Sequence, residues 1–232
     1  MKPVCVVIGI GPGNGAAIAR RFYAAGYSVA LLARSTALTT ELAKELKGSL
    51  AIACDVADAQ SVSAAFAQIR DKLGEVAVLV YNAGSGSWGT VEDITPAQFT
   101  SSWEVNALGG LLAAQQVIPA MKKAKSGSII FIGATASRRG GAKTAAFAPA
   151  KAAQRVLAES MARHLWPAGI HVAIVIIDGV VDLPRTRQSR PDRADDFFVK
   201  PASVADTVYQ LTVQEKSAWT FELEARPFGE TW

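Results

Sequence analysis

The chain has 232 residues, of which 50% are hydrophobic and 19% charged, enough for one large core and too short for a second of similar size. The formal net charge of +4 is spread without a basic run, which argues against a nucleic-acid partner. The apolar stretch 172–177 falls far short of the roughly 18 residues that suggest a membrane span, so no membrane association is expected.

Taken in order, a Val- and Ile-rich run over 4–8 predicts a first strand. Lys2 followed by apolar residues imitates the start of a secretory signal, but the glycines that come immediately after favour a strand ending in a tight turn. That turn is Gly9, Ile10, Gly11, Pro12, Gly13, Asn14 and Gly15, and it opens an alanine-rich helix. Glycines let a backbone bend sharply and approach a pyrophosphate, while the helix start supplies free N–H donors and the positive end of a dipole. With a strand before and a helix after, the pattern predicts dinucleotide binding.

A second strand is expected over 28–33. It ends at Arg34 and Ser35, with no carboxylate where an NAD site would hold the ribose 2′-hydroxyl. A guanidinium with a neighbouring hydroxyl suits a 2′-phosphate instead, so NADP is expected in preference to NAD. A third strand over 50–54 precedes a helix begun by Asp58, whose Val62, Ala65, Phe66 and Ile69 share one face. A fourth strand over 76–81 is followed by a helix starting at Thr95 and Pro96, a capping hydroxyl before a proline at the first helical position.

Strands are expected at 128–133, 171–177 and 220–224, and the polar segment 182–200, rich in Arg and Asp, reads as a lid or substrate loop. Cys5 and Cys54 sit in apolar strands as small hydrophobes, which suits a reducing, cytoplasmic setting. The alternation of strands and helices predicts an α/β protein: one Rossmann domain over 1–232, a doubly wound seven-stranded parallel sheet with helices on both faces.

With these pieces in place, the chain resembles the short-chain dehydrogenase/reductase family over nearly its whole length. Gly9, Gly13 and Gly15 match the family's glycine turn, although Ile8 stands where Thr is usual. Asp55 and Val56 match its adenine-contacting position. Asn82, Ala83 and Gly84 match its NAG motif, with Tyr81 in place of a preceding Asn. Asn106 matches the asparagine that holds a water beside the family's lysine, and Lys151 matches that lysine. Gly179 and Val181 follow the sixth strand, where the family places the nicotinamide, and Asp178 stands in place of the usual Pro.

In the same register the family's catalytic tyrosine falls on Phe147 and its serine on Ala134. The resemblance therefore implies an oxidoreductase acting on a small carbonyl or alcohol with an altered proton route. Losing a general acid costs about 10²- to 10⁴-fold in rate. Lys151, Asn106 and Thr135 are the catalytic candidates, and Tyr81, Asp178 or a water held by Asn106 and Lys151 are other proton sources. Each polar side chain also has a plain structural reading: Thr135 bonds backbone, Tyr81 packs its ring, and Asp178 pairs with an Arg. A catalytically silent NADP-binding protein is the alternative. No metal site is expected. The helices around 103–121 and 145–165 correspond to those through which family members form homodimers and homotetramers.

Overall fold

The computed structural model describes residues 2–229, so the first residue and the last three of the expected domain lie outside it. In chain order the elements are β1 Val4–Ile8, α1 Asn14–Ala24, β2 Ser28–Ala33, α2 Ala37–Glu45, β3 Leu50–Ala53, α3 Ala59–Lys72, β4 Val76–Tyr81 and α4 Pro96–Trp103. A π-helical turn, Glu104–Leu108, leads into α5 Gly109–Ala124, then β5 Gly127–Ala134, α6 Phe147–Leu165 and β6 Ile170–Ile177. The chain continues through β7 Val180–Val181, α7 Pro184–Gln188, β8 Phe198–Val199, α8 Pro201–Thr212 and β9 Glu222–Ala225.

Seven strands pair in the order β3-β2-β1-β4-β5-β6-β9, and every pairing is parallel. Strand side chains alternate between faces, so β1 sends Val4, Val6 and Ile8 into one core and Cys5 and Val7 into the other. Helices α3, α5 and α6 cover the first face, and α1, α2 and α8 the second. A continuous apolar run is what a strand buried on both sides requires. Fully burying each large side chain, such as Phe22, Phe66 or Leu31, stabilises the fold by about 1.5–3 kcal/mol.

The helix starts follow the expected chemistry. Asp58 accepts from the Gln60 N–H at 2.8 Å, and Val62, Ala65, Phe66 and Ile69 are buried. Thr95 and Gln98 cap α4 reciprocally, with Pro96 at its first position. The last strand begins later than expected, at Glu222. Thr220 is held out of the ladder because its N–H donates to Gln214 Oε1 at 2.9 Å and its carbonyl lies 2.8 Å from His171 Nε2.

The segment 182–200 is tied at both ends. Strands β7 and β8 pair in parallel, and the Asp182 N–H donates to the Val199 carbonyl at 2.9 Å. Arg187 binds Asp182 at 2.7 Å and Asp195 at 2.5 Å, so acids and bases within the segment neutralise one another. Among the described residues no helix is long and apolar enough to cross a membrane.

Candidate functional site

The chain's direction of travel through the sheet reverses between β1 and β4, and the carboxyl ends of strands at such a switch point are where open α/β sheets bind ligands. The glycine turn lies there. The N–H groups of Gly9 and Ile10 both donate to the Leu32 carbonyl, at 2.9 and 3.1 Å. Gly9 has a φ of +89°, and a Cβ on it would fall 2.4 Å from the Ala83 nitrogen, so only glycine lets the two loops touch. Asn82 fastens the contact, its Nδ2 donating to the Gly9 carbonyl at 2.7 Å and its N–H to the Ile8 carbonyl at 2.9 Å.

Gly11 has open space where a Cβ would stand, and no side chain caps the start of α1 at Gly13. The first turn of α1 carries no acid, so the positive end of its dipole is uncompensated. Asn14 Oδ1 is buried there without a hydrogen-bond partner.

A cavity of about 830 Å³ opens at this place, within the range of about 300–1,000 Å³ typical of small-molecule sites. Gly9, Gly11, Gly13, Asn14, Gly15, Arg34, Ser35, Asp55, Val56, Asn82, Ala83, Gly84 and Val181 all line it, so one cavity gathers most of the positions singled out in the sequence. The exposed guanidinium of Arg34 makes no hydrogen bond or ion pair with any described residue. Asp55 holds its loop by accepting from the Ala57 N–H at 3.1 Å and donating its own N–H to Ser61 Oγ at 3.0 Å. Gly179 does not line the cavity. A Cβ there would fall 2.7 Å from Pro227 Cδ, so its small size serves packing.

Sequence reasoning missed Leu183 and Thr186, and it took Arg185 only as part of the Arg- and Asp-rich segment 182–200. All three line the cavity, and Leu183 packs against Gly13. No periodicity or spacing marks a loop leucine as a neighbour of a turn so distant in the chain.

Lys151 and Asn106 stand behind Gly84, where a Cβ would lie 3.4 Å from both Lys151 Nζ and Asn106 Oδ1. Lys151 is 5% exposed, and its Nζ donates to the Ile132 carbonyl at 2.9 Å and to Gln154 Oε1 at 3.1 Å. Burial disfavours its charge and pulls its pKa down to about 8. Asn106 sits in the π-helical turn, a distortion often found at functional sites. Its Nδ2 donates to the carbonyls of Ser85 and Ser102, and its own carbonyl accepts from Gln154 Nε2 at 3.0 Å. Asn106, expected to hold a water beside the lysine, thus has its backbone carbonyl bonded by the Gln154 side chain, and Gln154 was not anticipated.

The remaining candidates are spoken for. Thr135 donates its hydroxyl proton to Asp178, which also pairs with Arg226 and, at 3.4 Å, with Arg139. Tyr81 packs its ring on Phe131 and donates to the Val105 carbonyl, and burial raises its phenol well above the ordinary range. Phe147 begins α6, its ring 5.3 Å from that of exposed Trp88 and pressed against Gly86. The Ala134 N–H donates to Ser137 Oγ at 3.1 Å. Arg138, just after β5, pairs with Glu222 and Glu224, so its charge is matched by acids.

Residues 3–194 match the short chain dehydrogenase family. The 3-oxoacyl-[acyl-carrier-protein] reductase MabA of Mycobacterium bovis is 33% identical over 220 residues, covering 91% of this chain and 86% of that protein. The crystal structure of a short-chain dehydrogenase from Rhodopseudomonas palustris superposes with a TM-score of 0.83 at 34% identity, covering 97% of this chain and 99% of that one. A metagenomic short-chain oxidoreductase, solved in complex with NADP, gives a TM-score of 0.85 at 28% identity, with 98% of each chain covered. Fold, switch-point turn and full-length similarity agree, and the chain belongs to the short-chain dehydrogenase/reductase family of oxidoreductases.

Proposed function

We propose that this chain is an NADP(H)-dependent oxidoreductase that interconverts a small carbonyl compound and its alcohol by an altered proton route. The observation that carries this reading is the convergence of the glycine turn, Arg34, Asp55 and the Asn82 to Gly84 loop on one cavity, with buried Lys151 directly behind Gly84.

The residues present fit such a cofactor. The open side of Gly11 and the uncapped N–H groups at the start of α1, where Asn14 is the first residue, suit a pyrophosphate. Arg34 with Ser35 suits a 2′-phosphate, because the guanidinium has no acidic partner among the described residues and binds two oxygens in a fork. Asp55 and Val56 face the adenine end. Ala83, Gly84 and Val181, with Lys151 behind Gly84, serve the nicotinamide end, and Gly179, packed against Pro227, does not. A nicotinamide bound there supplies the hydride.

The chain's own residues must then manage the proton. Phe147 and Ala134 have no exchangeable hydrogen, which leaves the Lys151 ammonium as the donor in reduction. A pKa of about 8 keeps it charged at neutral pH yet willing to give up a proton. Asn106 holds the turn behind it. Thr135, its own proton directed to Asp178, offers lone pairs to a substrate hydroxyl. The segment 182–200 acts as a lid, with Leu183 and Arg185 over the glycine turn. Exposed Phe99 and Trp103 on α4 and Val156 on α6 support a homodimer or homotetramer.

Calorimetry with NADPH and NADH, followed by a panel of aldehydes and ketones, tests this. Normal NADPH binding with no turnover above background sinks the oxidoreductase reading. A second reading, a silent NADP-binding sensor or scaffold, draws support from Trp88 covering Phe147 and from the engaged Thr135 hydroxyl. The double variant Phe147→Tyr, Ala134→Ser separates the two: activity arising from none favours the silent protein, and loss of an existing activity favours the enzyme.

A further inference from the structure

Gln154 belongs to no motif, yet it is fully buried and joins the two groups behind Gly84. Its Oε1 accepts from Lys151 Nζ at 3.1 Å while its Nε2 donates to the Asn106 carbonyl at 3.0 Å. These partners fix the amide's orientation, because an ammonium only donates and a carbonyl only accepts. Asn106 is fixed in the same way by the Ser85 and Ser102 carbonyls, which leaves its buried Oδ1 unpaired.

We infer that Gln154 is a positioning residue whose amide bridges Lys151 and Asn106, locking the ammonium as the inner end of the proton path. A carboxamide has no proton to release near neutral pH, so the bridge holds the ammonium without relaying its proton. The catalytic consequence rests on the oxidoreductase reading. As hydride reaches the carbonyl carbon, an Nζ–H proton passes to the carbonyl oxygen. Lys151 is left as a neutral amine and the product as an alcohol. Reprotonation then comes from the cavity side of Gly84, since Gln154 closes the inner side.

Burial sets the baseline for Lys151. The ionisable side chains on the elements around it are Tyr81 at the end of β4, Glu104 in the π-helical turn, Arg155, Glu159, Arg163 and His164 in α6, and His171 in β6. The partners of Nζ among the described residues are the Ile132 carbonyl and Gln154. Tyr81 bonds Val105, Arg155 bonds Glu159 and Glu222, Arg163 bonds Glu159, His164 meets Lys122, and His171 bonds the Leu211 and Thr220 carbonyls. That makes the Gln154 amide the polar side chain through which the lysine's titration can be moved.

The test follows the lysine itself. The full chain is labelled with ¹³C at lysine Cε, the Lys151 signal is assigned by its loss in Lys151→Arg, and its titration is recorded with and without NADPH. Gln154→Glu should raise the midpoint by about one pH unit or more, because a carboxylate favours the ammonium. Gln154→Met should lower it, because one acceptor for the charged form is gone. If both variants fold, bind NADPH and leave the midpoint unmoved, the inference is overturned. Should Gln154→Met fail to fold, the near-isosteric Gln154→Glu decides alone. Absence of turnover in the unaltered chain would count against the oxidoreductase reading and leave the midpoint result standing.

Discussion

Leu183 lies on Gly13: a Cβ on that glycine would fall 2.7 Å from Leu183 Cδ2. The first residue after Asp182 thus touches the middle of the glycine turn, bringing the 182–200 segment against the cavity.

Two alanine substitutions in the turn should therefore behave differently. Gly13→Ala meets the tip of a flexible side chain, so Leu183 can swing aside at little cost in stability, and the measurable effects should be weaker NADPH binding and faster proteolysis within 182–200. Gly9→Ala meets backbone at 2.4 Å from a positive-φ position, and neither side can yield cheaply. Backbone strain of this kind costs about 1–3 kcal/mol, so its denaturation midpoint should fall clearly below that of Gly13→Ala. Equal midpoints would refute the difference.

Arg34 should set the choice of coenzyme. Hydrogen bonds to a charged group contribute about 1.5–3 kcal/mol, so Arg34→Ala should weaken NADPH binding by about 10- to 100-fold and leave NADH nearly unchanged. Calorimetry with both coenzymes reads this directly. A parallel loss for both would place the guanidinium elsewhere than on the 2′-phosphate.

Much of this was legible in the sequence, for identifiable reasons. Unbroken apolar runs such as Val4–Ile8 announce strands buried on both faces, and Asp58 and Thr95 announce helix starts through purely local bonds. The residues that gather round the cavity were legible because the glycine turn and strand ends carry their geometry in contiguous residues. What escaped depends on side chains meeting across the fold. Thr135 and Asp178 are 43 residues apart, Gln154 and Asn106 are 48 apart, and no periodicity encodes either meeting. The late start of β9 escaped for the same reason, since Gln214 and His171 claim the Thr220 backbone.

Lys151 should give both activity and stability a pH signature. With the ammonium as donor, carbonyl reduction should fall as pH rises through about 8, and alcohol oxidation should rise over the same interval. For stability, the folded-state pKa of about 8 lies below the 10.5 of an ordinary lysine, so folding opposes protonation of this group. The penalty is present in full below about 8 and relieved as pH climbs to 10.5, giving a rise of about 3 kcal/mol at about 1.4 kcal/mol per unit. Denaturant curves at several pH values should show this rise in the unaltered chain and its absence in Lys151→Met. Identical pH dependence in both would refute it.

Asp178 and Arg139 form an ion pair whose two members should matter very unequally. The Asp178 side chain is 7% exposed and that of its other partner, Arg226, is 11% exposed, whereas Arg139 is 66% exposed and stands 3.4 Å away. Exposed pairs contribute about 0–1 kcal/mol, while removing one member of a buried pair costs about 3–5 kcal/mol because the other charge is left desolvated. Arg226 keeps Glu224 at 3.1 Å, which places Asp178→Ala towards the lower end of that range. The same change frees the Thr135 hydroxyl, so a loss of stability should be accompanied by an altered response of the substrate panel. Arg139→Ala should leave the unfolding midpoint almost where it was. If thermal or denaturant unfolding ranks the two variants the other way, burial is not what governs this cluster, and the carboxylate beside Gly179 is a surface group in solution.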